Sequence, residues 1–104
     1  MSNLGVLTIS EIKSGVRNLA SKYHGIKSVM LIGSYVHDTA EGDSDIDLVI
    51  DLVNEFDSMS YLGFLEDAEQ MFNREIDLLT TEGVRQSVLK DDLLHGGVYL
   101  YGES

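Results

Sequence analysis

The chain of 104 residues has no cysteine and no proline, seven basic side chains in all, and no apolar run near the roughly 20 residues that a membrane-crossing helix needs. Without cysteine no disulfide can staple the fold, and without proline there is no proline-rich linker. The shortage of Lys and Arg, 7 against 18 acidic side chains, leaves a formal charge of −11. Such a charge repels polyanions and lacks the wide basic footprint of a duplex binder, so neither nucleic acid nor a membrane is an expected partner. The N-terminal stretch "MSNLGVLTIS" has neither the basic flank nor the continuous apolar segment of a secretory signal, and a soluble, cytoplasmic protein is the expectation. No repeat, linker or low-complexity segment divides the chain. A sequence of this length suits one domain, residues 1–104, burying roughly two-thirds of its unfolded surface.

What is present alternates between two periods. Thr8 and Glu11 have the spacing of a capping box, and Ile9, Ile12, Val16, Leu19 and Tyr23 follow at helical intervals, with Gly25 placed to stop the helix. "IKSVMLIG", 26–33, is short, apolar and ends on glycine, which predicts a buried strand. "DIDLVIDLV", 45–53, predicts a second strand with Ile46, Leu48, Ile50 and Leu52 on one face and Asp45, Asp47, Val49 and Asp51 on the other. Ser58 or Ser60 can cap a helix reaching Phe72, with Leu62, Leu65, Ala68 and Phe72 inward; Gly63 weakens it by up to roughly 1 kcal/mol. Phe56, Tyr61, Phe64 and Phe72 are expected mostly in the core, although Tyr61 and Phe64 fall off the inward stripe and could mark a partner surface. "EIDLLT", 75–80, predicts a third strand; a helix over 82–94 and a short strand at "VYLY" complete the order α-β-β-α-β-α-β. The fold class is therefore α/β (α+β type): a small mixed sheet flanked by helices. The strands from 45 and 75, joined by a helix, can lie parallel and adjacent, which would bring Asp77 beside Asp45 and Asp47.

Asp45 and Asp47 point to the same side of a strand, roughly 6 to 7 Å apart at their α-carbons. Carboxylates gathered without a cation repel one another, whereas Mg²⁺, a hard cation with oxygen ligands, turns the repulsion into coordination. A third carboxylate, Asp77, would allow two ions about 3.5 to 4 Å apart, the arrangement suited to transfer of a phosphoryl-type group. Gly33 permits close backbone approach, and Ser34 can donate its amide and hydroxyl to phosphate oxygens. Each part alone has a plain reading: a turn at Gly33-Ser34, a solvated strand edge at Asp45 and Asp47, solvated loop charge at Asp38, Glu41 and Asp43. A calcium loop starting at Asp43 fails, because Leu48 takes the required glycine position and Asn54 the terminal glutamate. His24 and His95, near predicted helix ends, are assigned no chemistry.

Together, Gly33-Ser34, the ten residues "YVHDTAEGDS" and Asp45-Ile46-Asp47 resemble the signature of the minimal nucleotidyltransferases of the DNA polymerase β superfamily. The resemblance extends through "REIDLLTTEGVRQSV" and "GGVYLY", and so over nearly the whole chain. It implies two-metal, Mg²⁺-dependent transfer of a nucleoside monophosphate from a triphosphate to an acceptor hydroxyl, with Asp45, Asp47 and Asp77 as catalytic metal ligands and Gly33 and Ser34 on the triphosphate. Minimal members of the family are commonly antitoxins that attach AMP from ATP to a tyrosine of a HEPN-domain ribonuclease toxin. The resemblance thus implies a toxin partner; an antitoxin that neutralises by occlusion alone is the second reading, and an aminoglycoside-type enzyme the third. One departure is local: many relatives carry arginine and then glycine where this chain has His37-Asp38.

Overall fold

The computed structural model describes residues 6–42 and 44–102; Asp43, expected as solvated loop charge, lies outside them. Helix α1 spans Ile9–Ala20, and the capping box forms as the spacing requires. The Thr8 hydroxyl accepts from the Glu11 amide at 3.0 Å, and the Glu11 carboxylate accepts from the Thr8 amide at 2.7 Å. Ile12, Val16, Leu19 and Ala20 are its buried face. The helix stops before Tyr23 and Gly25, with Ser21 as its C-cap. Freed from the helix, Tyr23 donates its hydroxyl to Asp67 at 2.6 Å.

Strands β1 (Ile26–Ile32), β2 (Ile46–Leu52), β3 (Ile76–Thr80) and β4 (Val98–Tyr101) form one mixed sheet in the order β3-β2-β1-β4. β1 pairs antiparallel with β2 and with β4, and β2 pairs parallel with β3, as the helical crossover between them requires. Helices α1 and α2 (Ser58–Phe72) pack against one face. There Ile12, Val16, Val29, Leu31, Ile46, Leu48, Ile50, Phe64 and Leu100 are almost wholly removed from water. Each such aliphatic or aromatic side chain contributes about 1.5–3 kcal/mol. A smaller cluster of Ile32, Val49 and Val84 forms on the other face, under α3 (Thr81–Arg85) and α4 (Lys90–Leu94).

The structure corrects several expectations about the helices. The N-cap of α2 is Asp57, whose carboxylate accepts from the amide (3.1 Å) and hydroxyl (2.7 Å) of Ser60; neither serine caps it. The inward stripe is Phe64, Ala68 and Phe72: Phe64 is fully buried, while Leu62 is 53% exposed and Phe56 83% exposed. Tyr61 does not face a partner either, because it is half-buried and donates its hydroxyl to the Leu78 carbonyl. Gly63 lies against Tyr23: a Cβ there would stand 2.8 Å from the Tyr23 hydroxyl, so a side chain at this position displaces that ring.

The helix expected over 82–94 is two short helices, Thr81–Arg85 and Lys90–Leu94. Thr80 caps the first by accepting from the Gly83 amide at 3.0 Å. Ser87 interrupts the run by accepting from the Leu89 amide at 3.0 Å, the local side-chain competition that ends helices. Val88, which a continuous helix would use, is 99% exposed.

Candidate active site

The topology decides which residues of the motif meet. Ile32, the last residue of β1, pairs with Asp47 of β2, and Asp47 pairs with Asp77 of β3. Neighbouring strands lie about 4.8 Å apart, so the start of the Gly33 turn, Asp47 and Asp77 fall in one line across the sheet. Odd positions of β2 face away from α1 and α2, which puts Asp47 on the thinly covered face while Ile46 and Leu48 anchor the core.

Gly33 opens a single 3-10 turn, Gly33–Tyr35, with φ of +80°. Its carbonyl accepts from the amides of Val36 (3.1 Å) and His37 (3.2 Å), and the Ser34 carbonyl accepts from the Thr39 amide at 3.0 Å. Tyr35 turns inward and is buried. Asp38 is left-handed at φ 59°, a conformation that glycine adopts without strain and Asp tolerates better than most residues. On the far side of the loop, Arg74 donates to the carbonyls of Gly42 (3.0 Å) and Phe72 (2.9 Å), tying the approach to β2 onto the end of α2.

A cavity of about 240 Å³ opens between these elements. Gly33, Asp47 and Asp77 line it, over an apolar floor of Ile32, Leu79 and Leu93, with His37 and Asp92 at its sides. Ser34 and Asp45 do not line it; Asp45 is exposed, one residue before β2 begins. Burial, then the negative charges of Asp77 and Asp45, pushes the Asp47 carboxyl above the ordinary carboxylate range. The three aspartates therefore share one electrostatic neighbourhood. Among the described residues no three His, Cys, Asp or Glu side chains stand close enough to hold an ion as a set. The donor chemistry nevertheless fits Mg²⁺, which is usually held by one or two carboxylates, waters and substrate phosphates rather than by an all-protein cage.

Two features of this cavity had no signal in the sequence. His37 stacks on His95 with ring centroids 5.6 Å apart and planes 10° from parallel, joining the Gly33 turn to the segment after α4. Asp92 arrives on α4, a helix whose position depends on the break at Ser87. His24 is exposed, as a surface role requires.

The polymerase beta nucleotidyltransferase family model matches residues 15–104. The chain belongs to that family. It is a nucleotidyltransferase with the family's fold, and the Gly33 turn and β2 lie within the matched region. A relative from Methanocaldococcus jannaschii, named "Putative protein adenylyltransferase", is 31% identical over 99 residues, covering 89% of this chain and 98% of its own. The protein adenylyltransferase MntA of Thermococcus cleftensis is 24% identical over 91 residues, covering 84% and 91%. Among solved structures, a chain of a toxin–antitoxin complex with AMP-PNP superposes with a TM-score of 0.69 at 20% identity, over 88% of this nucleotidyltransferase and 74% of that chain. A chain from the complex of a tri-AMPylated Shewanella oneidensis HEPN toxin with its MNT antitoxin gives a TM-score of 0.64 at 18% identity, over 90% and 72%. Among the described residues, no helix is long and apolar enough to cross a membrane.

Proposed function

We propose that this chain is a single-domain, cytoplasmic protein adenylyltransferase that transfers AMP from ATP to a tyrosine hydroxyl of a HEPN-domain ribonuclease toxin and thereby acts as its antitoxin. The observation that carries the reading is the register Ile32–Asp47–Asp77, which sets the Gly33 turn against two carboxylates in one cavity. Relatives named protein adenylyltransferase and structural neighbours from toxin–antitoxin complexes support the choice of acceptor class.

In this reading Asp45, Asp47 and Asp77 hold Mg²⁺, and Gly33 and Ser34 receive the triphosphate. The bound cations supply neutralisation of charge on the phosphate oxygens. The acceptor oxygen bonds to the α-phosphorus, the bond from that phosphorus to the bridging oxygen breaks, and pyrophosphate leaves with the electron pair. In this reading Asp77, on the edge strand and lining the same cavity, accepts the hydroxyl proton. Gly33 contributes by having no side chain, so that the phosphate chain can approach the backbone beside Asp47.

The test is incubation of the protein with its toxin partner, Mg²⁺ and ATP labelled at the α-phosphate, beside the Asp47→Asn variant. Label on one tyrosine of the partner, absent with the variant, is the expected result; undiminished transfer by the variant would falsify the assignment of Asp47. A second reading, neutralisation by occlusion alone, is favoured by one observation: His37 and Asp38 stand where many relatives carry a basic residue and glycine, and Asp38 holds a left-handed backbone. Under that reading Asp47→Asn neutralises the partner as well as the parent does.

A further inference from the structure

On the same sheet face as Asp47, at the opposite end of β2, lies a second cleft of about 400 Å³. Lys27, Arg85 and Lys90 line it, three of the seven basic residues in a chain of net charge −11. One carboxylate, Asp51, accompanies them. Arg85 is paired with Glu82 at 2.8 Å, whereas Lys27 and Lys90 are exposed and form no ion pair among the described residues. The floor is apolar: Met30, Val49, Val84 and Leu94 belong to the small cluster on this face, and the half-buried Tyr99 adds an aromatic side chain.

A cationic rim over an apolar floor selects a ligand that carries both an anion and a flat apolar body. Asp51 lies four positions beyond Asp47 along β2, about 13 Å at strand spacing. A triphosphate seated at Gly33 has its charge met there, and the adenosine end of the same molecule brings no anion to the lysines. The rim therefore calls for a second phosphate. We propose that the cleft is a second nucleotide subsite, which binds a nucleoside monophosphate group with its phosphate on Lys27 and Lys90 and its base over the apolar floor. Two sources offer that chemistry: free AMP, and an AMP already attached to the acceptor. That this phosphate is a second one, and that it can be borne by the acceptor, rests on the adenylyltransferase reading; AMP binding in the cleft is tested without it.

The experiment titrates AMP into the ¹⁵N-labelled protein in the presence of EDTA, so that no metal or turnover is needed. The expected result is a set of amide shifts at Met30, Val84 and Tyr99 but not at Gly33, with Asp47→Asn behaving as the parent. Lys27→Glu with Lys90→Glu weakens AMP about tenfold or more, and the Gln pair weakens it less, as charged phosphate contacts require. Adenosine and pyrophosphate, each with half of the recognised chemistry, bind more weakly than AMP. Shifts confined to Gly33 and Asp47, equal binding by the charge-reversed pair, or pyrophosphate as good as AMP would each overturn the subsite. Mass spectrometry of the acceptor then separates the sources. If the charge-reversed pair stops at one AMP with an unchanged first transfer, the subsite holds acceptor-borne AMP; if the number added is unchanged while AMP binding is lost, it holds the free nucleotide. AMP binding without any transfer supports the subsite and removes the adenylyltransferase reading instead.

Discussion

Gly33 and Asp47 are in contact: a methyl group built on Gly33 would lie 2.1 Å from Oδ2 of Asp47. The glycine and the aspartate of the motif are thus one steric unit, although 13 residues lie between them in sequence. Gly33→Ala adds this clash to a backbone at φ +80°, which alanine accepts at a cost of about 1 kcal/mol or more. The variant is expected to lose nucleotidyl transfer and to melt at a lower temperature than the parent. Full activity would show that the Asp47 carboxylate can move aside without consequence.

Asp47→Asn separates stability from chemistry. Because the folded protein raises the Asp47 carboxyl above its ordinary value, through burial and then Asp77 and Asp45, the ionised form is disfavoured in the fold. The group therefore opposes folding at neutral pH, and this opposition fades as pH falls through the raised value. In metal-free buffer at pH 7 the Asn variant should be at least as stable as the parent, and it should lack the parent's relative gain on acidification through that range. Added Mg²⁺ should raise the melting temperature of the parent and not of the variant. Thermal scans at two pH values, with and without Mg²⁺, check all three outcomes.

Asp57 titrates with the opposite sign. Hydrogen bonds from the Ser60 side chain and then its amide hold the carboxyl below the ordinary range. Its contribution to stability is present above the unfolded carboxylate pKa and is lost as pH falls through the lower folded value. Asp57→Ala should lower the melting temperature at pH 7 and flatten its fall on the acid side, whereas Asp57→Ser should recover most of the loss by capping the same amides. Equal melting of the Ala variant and the parent would remove the cap from the account of α2.

Gly63→Ala reverses the usual expectation for a helix. In an open helix interior the change gains about 1 kcal/mol. Here the new methyl meets the Tyr23 hydroxyl at 2.8 Å and disturbs its bond to Asp67, so destabilisation is expected. Denaturant midpoints of this variant, of Tyr23→Phe and of the double variant test the coupling: if the steric conflict is real, the effect of the methyl changes when the hydroxyl is absent.

The Tyr35 hydroxyl is buried and has no hydrogen-bond partner among the described residues. Tyr35→Phe removes that polar atom and keeps the ring, so the variant should match or exceed the parent's stability, by up to about 1 kcal/mol. A loss of that size would mean that the hydroxyl has a partner in solution.

The strands were the most legible part of the chain because their signal is local and doubled: β2 sets Ile or Leu on one face and Asp47, Val49 and Asp51 on the other, and its period fixes both the core face and the chemical face. The meeting of Asp47 and Asp77 was legible because a helix between two strands permits few topologies. Helix details were less so. Asp57 competes with two neighbouring serines for the cap, and the helical period alone does not tell whether Phe64 or Leu62 faces the core. The break at Ser87 depends on one side chain bonding to the backbone two residues on, a contest between nearly equal local structures that composition does not decide. The stack of His37 on His95 joins residues 58 apart in sequence and has no periodic signature.

The alternation along β2 has a consequence for how this protein can change. Substitution at an even position from Ile46 to Leu52 acts on packing, and at Asp47 or Asp51 on charge, so either property can drift while the other is kept. An inserted residue inside the strand has no such freedom. It would rotate the isoleucines toward water and the aspartates into the hydrocarbon interior in one step. Length variation is therefore confined to the segments outside β2, and the strand itself can evolve by replacement but not by insertion.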